Sequence, residues 1–194
     1  MKTRIPIEVS ARHIHLSKKD LEKLFGKGYK IKVLRKLYQP GEFAATETIE
    51  LQVNSNRFPK LRVTGPLRKE TQIELSQTDA IFLGMNVPIR KSGDFKGTPG
   101  AFLIGPKGKV KIKRGIINAW RHIHCNLQEA KKLGIKNGDL VSVKTKGTGS
   151  VTFHNVMVRV GENYKLSMHL DADEGNAARI TQKGEGILLN QKEK

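Results

Sequence analysis

Four residues occur twice in this chain of 194, as Arg12-His13-Ile14-His15 and again as Arg121-His122-Ile123-His124. In a β-strand successive side chains alternate faces, so a His-x-His spacing sets both imidazoles on one side and turns the intervening Ile to the other. Two imidazoles on one face are the beginning of a metal chelate. The chain holds six histidines, and random placement would produce roughly 0.2 His-x-His pairs, so two identical tetrapeptides argue against accident.

Each pair needs a distant partner. Gln72-Ile73-Glu74 places Gln72 and Glu74 on one strand face, with Arg68 at the turn before them. A carboxylate can complete a His-His zinc site, and an Arg presents a planar fork suited to phosphate; the bland alternative is an ordinary surface Glu and Arg. His169 is the natural third imidazole for the second pair. Cys125 follows His124 and, in a continuing strand, faces away from both histidines, which reads as a small buried hydrophobe rather than a ligand or nucleophile. His154 lies between apolar residues and reads as structural. The glycine-rich stretches 93–100 and 105–108 match neither the Walker pattern nor the dinucleotide fingerprint, so they read as connections.

The elements that must carry these residues are short. Residues 5–15 read as one opening strand with Ile5, Ile7, Val9, Ala11, His13 and His15 on one face, so that the ligand face continues an apolar one. Burial there favours the neutral, ligating imidazole. Behind each pair the strand runs into a short helix. Ser17 with Asp20, and Asn126 with Glu129, have the spacing of capping boxes, while Gly26 and Gly134 suit the left-handed position past a helix end. The two halves are therefore related by a duplicated strand-to-helix unit. Further strands are expected over 29–37, 47–53, 57–63, 110–113, 116–124, 140–144, 150–160 and, as the last, 165–171. A turn falls at 39–42 and a helical turn at 76–80; 173–179 starts a turn or helix, and 191–194 reads as a frayed polar tail. Many short strands with regular turns predict a mainly β fold of barrel or sandwich type.

Composition narrows the class. No apolar run approaches the roughly 18 residues of a membrane span, and the first six residues lack the apolar segment of a secretory signal. One cysteine excludes an internal disulfide framework and fits a reducing compartment. The net charge of +18 could be the footprint of a nucleic-acid binder. Yet the lysines are spread along the chain, aromatics make up 6%, and RNP, zinc-finger and helix-turn-helix signatures are missing. A diffuse solvated surface that attracts small polyanionic substrates is the simpler reading, with nucleic acid an unfavoured partner.

Taken together, both Arg-His-Ile-His motifs, Gln39-Pro40-Gly41, Gly65-Pro66-x-Arg68, Thr71-Gln72-Ile73-Glu74, Thr78-Asp79-Ala80, Arg90-x-Ser92-Gly93-Asp94 and Met168-His169-x-Asp171-x-Asp173-Glu174-x-Asn176-Ala177-Ala178 resemble the PduL type of phosphate acyltransferase, the phosphate propanoyltransferase family. The resemblance covers nearly the whole chain. It implies two small β-barrel domains with short capping helices, a homodimer, and two zinc ions in one site. Carried over by motif, His13, His15 and Glu74 would hold one zinc, and His122, His124 and His169 the other. Arg68 would bind phosphate, and coenzyme A would contact Val9, Ser10, Ala11, Arg62 and Asn176. Three positions depart from the family pattern: Ala11 where Asn is frequent, Cys125 where Met is common, and Gly175 where Ala is common.

The implied activity interconverts a short-chain acyl-CoA, propanoyl- or acetyl-CoA, and phosphate with an acyl phosphate and coenzyme A, by direct attack of phosphate on the thioester. Zinc would assist as a Lewis acid, and no nucleophilic side chain is required. Residues 1–114 form the expected first half, with the first His-x-His pair, Arg68 and Glu74, and an opening strand able to pair with the second half, 115–194. The chain begins almost at the first strand, without an evident microcompartment-targeting extension, so a cytoplasmic enzyme without membrane partners is expected. A zinc hydrolase of a thioester or phosphoester, and a basic RNA-binding β-barrel with structural zinc, stay open as alternatives.

Overall fold

Apolar residues recur at every second position in several segments, and strands are the main element of a computed structural model that describes residues 4–189. The order is β1 (Arg4–Ser10), β2 (His13–His15), α1 (Lys18–Phe25), β3 (Val33–Lys36), β4 (Phe43–Val53), β5 (Asn56–Gly65), β6 (Gln72–Leu75), α2 (Gln77–Phe82), β7 (Ile89–Arg90), β8 (Ala101–Ile104), β9 (Lys109–Ile112) and β10 (Ile116–Ala119). There follow β11 (His122–Cys125), α3 (Leu127–Leu133), β12 (Leu140–Thr145), β13 (Thr152–Val160), β14 (Ser167–Asp171), α4 (Ala172–Ala177) and β15 (Lys183–Leu189). The fold is mainly β with few short helices, as expected.

The chain divides into two compact units, residues 12–119 and residues 4–11 with 120–189. The first is a nine-stranded sheet in the order β7-β10-β6-β2-β5-β4-β8-β9, with β3 on β4, curled as a half-barrel. The second is a closed barrel, β1-β14-β11-β13-β12-β15. Each has its own core. Ile14, Leu16, Leu24, Leu51, Ile73 and Leu103 are buried in the sheet unit, and Ile5, Ile7, Ile123, Val143, Val158 and Met168 in the barrel. Burying each such side chain stabilises the fold by about 1.5–3 kcal/mol relative to leaving it in water.

The opening strand expected over 5–15 is two strands. β1 ends at Ser10 and enters the barrel, parallel to β14 and antiparallel to β15; β2 begins at His13 and lies in the sheet between β5 and β6. The second copy is interrupted at the same place, so 116–124 is also two strands, with β10 in the sheet and β11 in the barrel. The apolar face of β1 therefore does not continue into the ligand face of β2. Ile5 and Ile7 fill one core and Ile14 the other.

The arginine of each motif is anchored in its own unit. Arg12 Nη1 donates to Asp79 Oδ1 at 2.6 Å and its guanidinium lies over the Phe58 ring at 4.4 Å. Arg121 Nε donates to Glu174 Oε1 at 2.5 Å and Nη1 to the His154 carbonyl at 3.1 Å. Asp79 and Glu174 are equivalent residues, each the third-position carboxylate of the capping box that opens α2 or α4. The duplication thus extends beyond the tetrapeptides to a second strand and helix in each unit.

The units part at Ala119/Trp120, later than the boundary at 114/115 expected from sequence, because β9 pairs with β8 and β10 with β6 and β7 inside the sheet. Both capped helices form: Ser17 caps α1, Asn126 and Glu129 make a reciprocal box on α3, and Gly134 takes the left-handed conformation after it. Gly26 has a positive φ of 108° but with an extended ψ of 152°, outside the expected left-handed helical region. Of 29–37 only Val33–Lys36 is a strand, and it is exposed at the sheet margin. Three strands were not foreseen. β7 follows the helical turn expected at 76–80, β8 falls between the two stretches read as connections, and β15 follows the strand taken as last, closing the barrel between β1 and β12. The tail expected at 191–194 lies outside the described residues.

Candidate functional site

In the sheet unit β2 runs antiparallel to β6 with His13 opposite Glu74, Ile14 opposite Ile73 and His15 opposite Gln72. Ile14 and Ile73 are wholly buried, and a one-residue slip of either strand would turn its own polar pair into that core instead, so burial pins the register. His13, His15 and Glu74 consequently share one face, with ligand atoms within 4.8 Å of one another. His13 Nε2 stands 3.7 Å from Glu74 Oε2.

Arg68 reaches the same cluster. Its Nη2 lies 2.8 Å from His15 Nε2, its Nη1 donates to Ser92 Oγ at 2.6 Å, and Nη1 stands 3.8 Å from Glu74 Oε1. A guanidinium only donates, so Nε2 is the lone-pair nitrogen of His15. Gln72, fully buried, donates from Nε2 to Glu74 Oε1 at 2.6 Å and to Ser92 Oγ at 2.8 Å, and its Oε1 accepts from the Gly93 amide at 2.8 Å.

The barrel unit repeats the plan. β11 runs antiparallel to β14 with His122 opposite His169, Ile123 opposite Met168 and His124 opposite Ser167. Ile123 and Met168 are buried, and His122, His124 and His169 gather with ligand atoms within 4.8 Å. His122 Nδ1 lies 2.7 Å from the Trp120 carbonyl, which can only accept, so Nδ1 carries the proton and Nε2 is the lone-pair nitrogen. Ser167 Oγ is 2.8 Å from His169 Nε2, and Tyr164 stacks on His124 at 4.0 Å between centroids.

One imidazole in each cluster is held in the neutral form. Burial, then the adjacent His13 and Arg68, hold His15 well below the usual histidine range. Burial, then His169 and Arg159, hold His122 down at about 3. Neutral imidazole is the ligating form. Three imidazoles, or two with a carboxylate, are donor sets that bind zinc tetrahedrally while leaving one position open. On donor chemistry, spacing and protonation, the residues present fit zinc in both units.

The other expected residues are placed as follows. Val9 and Ser10 lie in β1 and Ala11 follows it, exposed. A Cβ on Gly175 would meet Val9 Cγ2 at 2.7 Å and the Ile180 carbonyl oxygen at 2.8 Å, which explains glycine where the family often has Ala and shows α4 packed closely on β1. Asn176 is exposed on that helix. Arg62 pairs with His13 across β5 and β2, in the sheet unit, and donates to the Ala45 and Thr46 carbonyls. Cys125 is buried in the barrel core beside Ile123, on the face opposite the histidines, and burial pushes its thiol up to about 11. His154 is exposed and bonds Ser142 through Nδ1 at 2.8 Å. Sequence reasoning assigned no role to Ser92, which is 20 residues from Gln72 and carries no periodic signal; Gln72 was visible as the same-face neighbour of Glu74, but its bonds were not.

The family model for phosphate propanoyltransferase matches residues 6–181. The phosphate propanoyltransferase of Thermotoga maritima is 45% identical over 177 residues, 91% of this chain and 84% of that protein. Those of Lachnoclostridium phytofermentans and Priestia megaterium are 44% and 45% identical, covering 91% and 95% of this chain and 83% and 85% of theirs. A match of this extent, on a chain that gathers both histidine pairs with their third partners, shows that the protein belongs to the phosphate propanoyltransferase family and is a phosphate acyltransferase.

Proposed function

We propose that this enzyme is a zinc-dependent phosphate acyltransferase that interconverts a short-chain acyl-CoA, propanoyl- or acetyl-CoA, and phosphate with the acyl phosphate and coenzyme A. The observation that carries the reading is the Arg68 guanidinium set against the His13, His15 and Glu74 cluster. The relatives' names favour the propanoyl group. His13, His15 and Glu74 would hold one zinc, and His122, His124 and His169 a second. When bound, zinc supplies Lewis-acid stabilisation of the negative charge that develops in thioester cleavage.

Arg68 does the phosphate work. Its side chain is 30% exposed, so it is accessible to solvent, and its planar fork suits two oxygens of one anion. Holding phosphate removes the entropic cost of bringing a dianion to a thioester, and partial neutralisation lowers the cost of its approach. A phosphate oxygen attacks the carbonyl carbon, the carbon–sulfur bond breaks, and the electron pair leaves with the coenzyme A sulfur. Cys125 does not serve as an alternative nucleophile, because a buried thiol held near 11 has almost no thiolate at neutral pH. Val9, Ser10, Ala11, Arg62 and Asn176 are the proposed coenzyme A contacts. The enzyme is proposed to be a cytoplasmic homodimer acting on small molecules; among the described residues no helix is long and apolar enough to cross a membrane.

The test is thiol release from propanoyl- and acetyl-CoA by the zinc-loaded protein with and without phosphate. Phosphate-dependent release with formation of acyl phosphate is expected. Release independent of phosphate would assign a hydrolase instead, and no release from either thioester would overturn the reading.

A further inference from the structure

The two units share a feature outside the ligands. Gln72 lies two residues before Glu74, opposite His15, and Ser167 two residues before His169, opposite His124. Both are fully buried polar residues, and each bonds the third member of its own cluster, at 2.6 Å for Gln72 to Glu74 and 2.8 Å for Ser167 to His169. From equivalent positions in the duplicated units, with different chemistry, they make the same connection.

The Gln72 amide is oriented without ambiguity. The Gly93 backbone N–H can only donate, so the atom facing it is the Gln72 carbonyl oxygen, and the amide nitrogen must face Glu74 and Ser92. Its two hydrogens are then both in use. One claims Glu74 Oε1, which leaves Oε2, the oxygen 3.7 Å from His13 Nε2, as the atom turned toward the histidine pair. The other goes to Ser92 Oγ, which also accepts from Arg68 Nη1. The Gln72 amide is thus joined to the Glu74 carboxylate directly and to the Arg68 guanidinium through Ser92 Oγ.

We infer that Gln72 is a positioning residue that ties the Glu74 carboxylate and the Arg68 guanidinium to one amide, and that Ser167 positions His169. This rests on the phosphate and zinc roles proposed above. A ligand whose outer partner is removed loses orientation, and such losses typically weaken metal binding by about 10- to 100-fold. Because Gln72 joins two groups, its removal reaches phosphate as well as metal, whereas removal of Ser167 reaches metal only.

The experiment compares Gln72→Met, Ser92→Ala and Ser167→Ala with wild type. Three quantities are read: zinc retention against a competing chelator, inorganic phosphate binding by calorimetry, and KM for phosphate separately from kcat. Gln72→Met is expected to weaken both zinc retention and phosphate binding by about 10-fold or more, with the larger kinetic change in KM for phosphate. Ser92→Ala cuts only the arm to Arg68, so it should weaken phosphate with zinc retention unchanged. Ser167→Ala should weaken zinc retention with KM for phosphate unchanged. A Gln72→Met protein that melts cooperatively and stays within twofold of wild type in both zinc and phosphate binding overturns the inference. If Gln72→Met does not fold, Ser92→Ala decides: unchanged phosphate binding overturns it. Zinc retention and phosphate binding are read without turnover, so inactive wild-type protein would refute the proposed reaction while leaving this coupling measurable.

Discussion

Replacing Arg68 by Lys keeps the positive charge and removes the fork. Arg68 uses two separate nitrogens, Nη1 to Ser92 Oγ at 2.6 Å and Nη2 to His15 Nε2 at 2.8 Å. An ammonium is one point charge on a flexible stem and does not hold that planar, two-pronged arrangement or offer it to two oxygens of one phosphate. Losing one charge-assisted hydrogen bond costs about 1.5–3 kcal/mol, which at 1.36 kcal/mol per factor of ten corresponds to a fall of about 10- to 150-fold in kcat/KM for phosphate. The assay is thiol release from propanoyl-CoA over a phosphate titration, with zinc content verified to equal that of wild type. Arg68→Ala, which also removes the charge, should fall further. An Arg68→Lys enzyme within twofold of wild type at equal zinc content would refute the phosphate role of this residue.

Three other outcomes are expected. Glu74→Gln and His169→Ala each spoil one donor set, so elemental analysis should fall from about two zinc ions per chain toward one in either variant, and toward none when they are combined; retention of full occupancy by both would remove the two-cluster assignment. Cys125 is buried, so the native protein should show no titratable thiol until it is unfolded, and Cys125→Ser should lose about 1–3 kcal/mol in denaturant titrations by burying a hydroxyl in the barrel core. Gly115 has φ +114° and an added Cβ would meet the Thr71 carbonyl oxygen at 2.5 Å, while its own carbonyl accepts from the Ile73 amide. Gly115→Ala should therefore lower the melting temperature and weaken zinc retention by displacing β6, whereas Gly134→Ala, with open space around its Cβ, should cost only its left-handed strain, about 1 kcal/mol.

Much of the site was legible because its signals are local. The His-x-His spacing fixes which side chains share a face in any extended strand, and the same period-two rule joins Gln72 to Glu74. The caps of α1 and α3 were readable because a side-chain oxygen and an amide three residues apart interact whatever surrounds them. Gln72 shows the limit. Its position was visible, but its amide bonds Ser92 and Gly93, and that loop meets β6 only through tertiary folding. β15 shows another, since Lys183-Gly184-Glu185-Gly186 lacks β-branched residues and carries no strand signal. It is a strand because β1 and β12 offer unpaired edges on either side, and because Gly186 lets Val143 approach its backbone: a Cβ there would meet Val143 Cγ1 at 2.5 Å.

The sequence alone determined the donor types, their spacing and the membership of each pair, because those follow from covalent order and strand alternation. Tertiary structure decided that each motif's preceding strand and its histidine strand belong to different units, that Glu74 and His169 occupy the same register position opposite His13 and His122, and that Arg68 comes to rest on the carboxylate cluster. These are matters of which backbone edges pair and which cores fill. Their energies come from contacts between residues distant in sequence, as between Ile14 and Ile73, and no local pattern carries them.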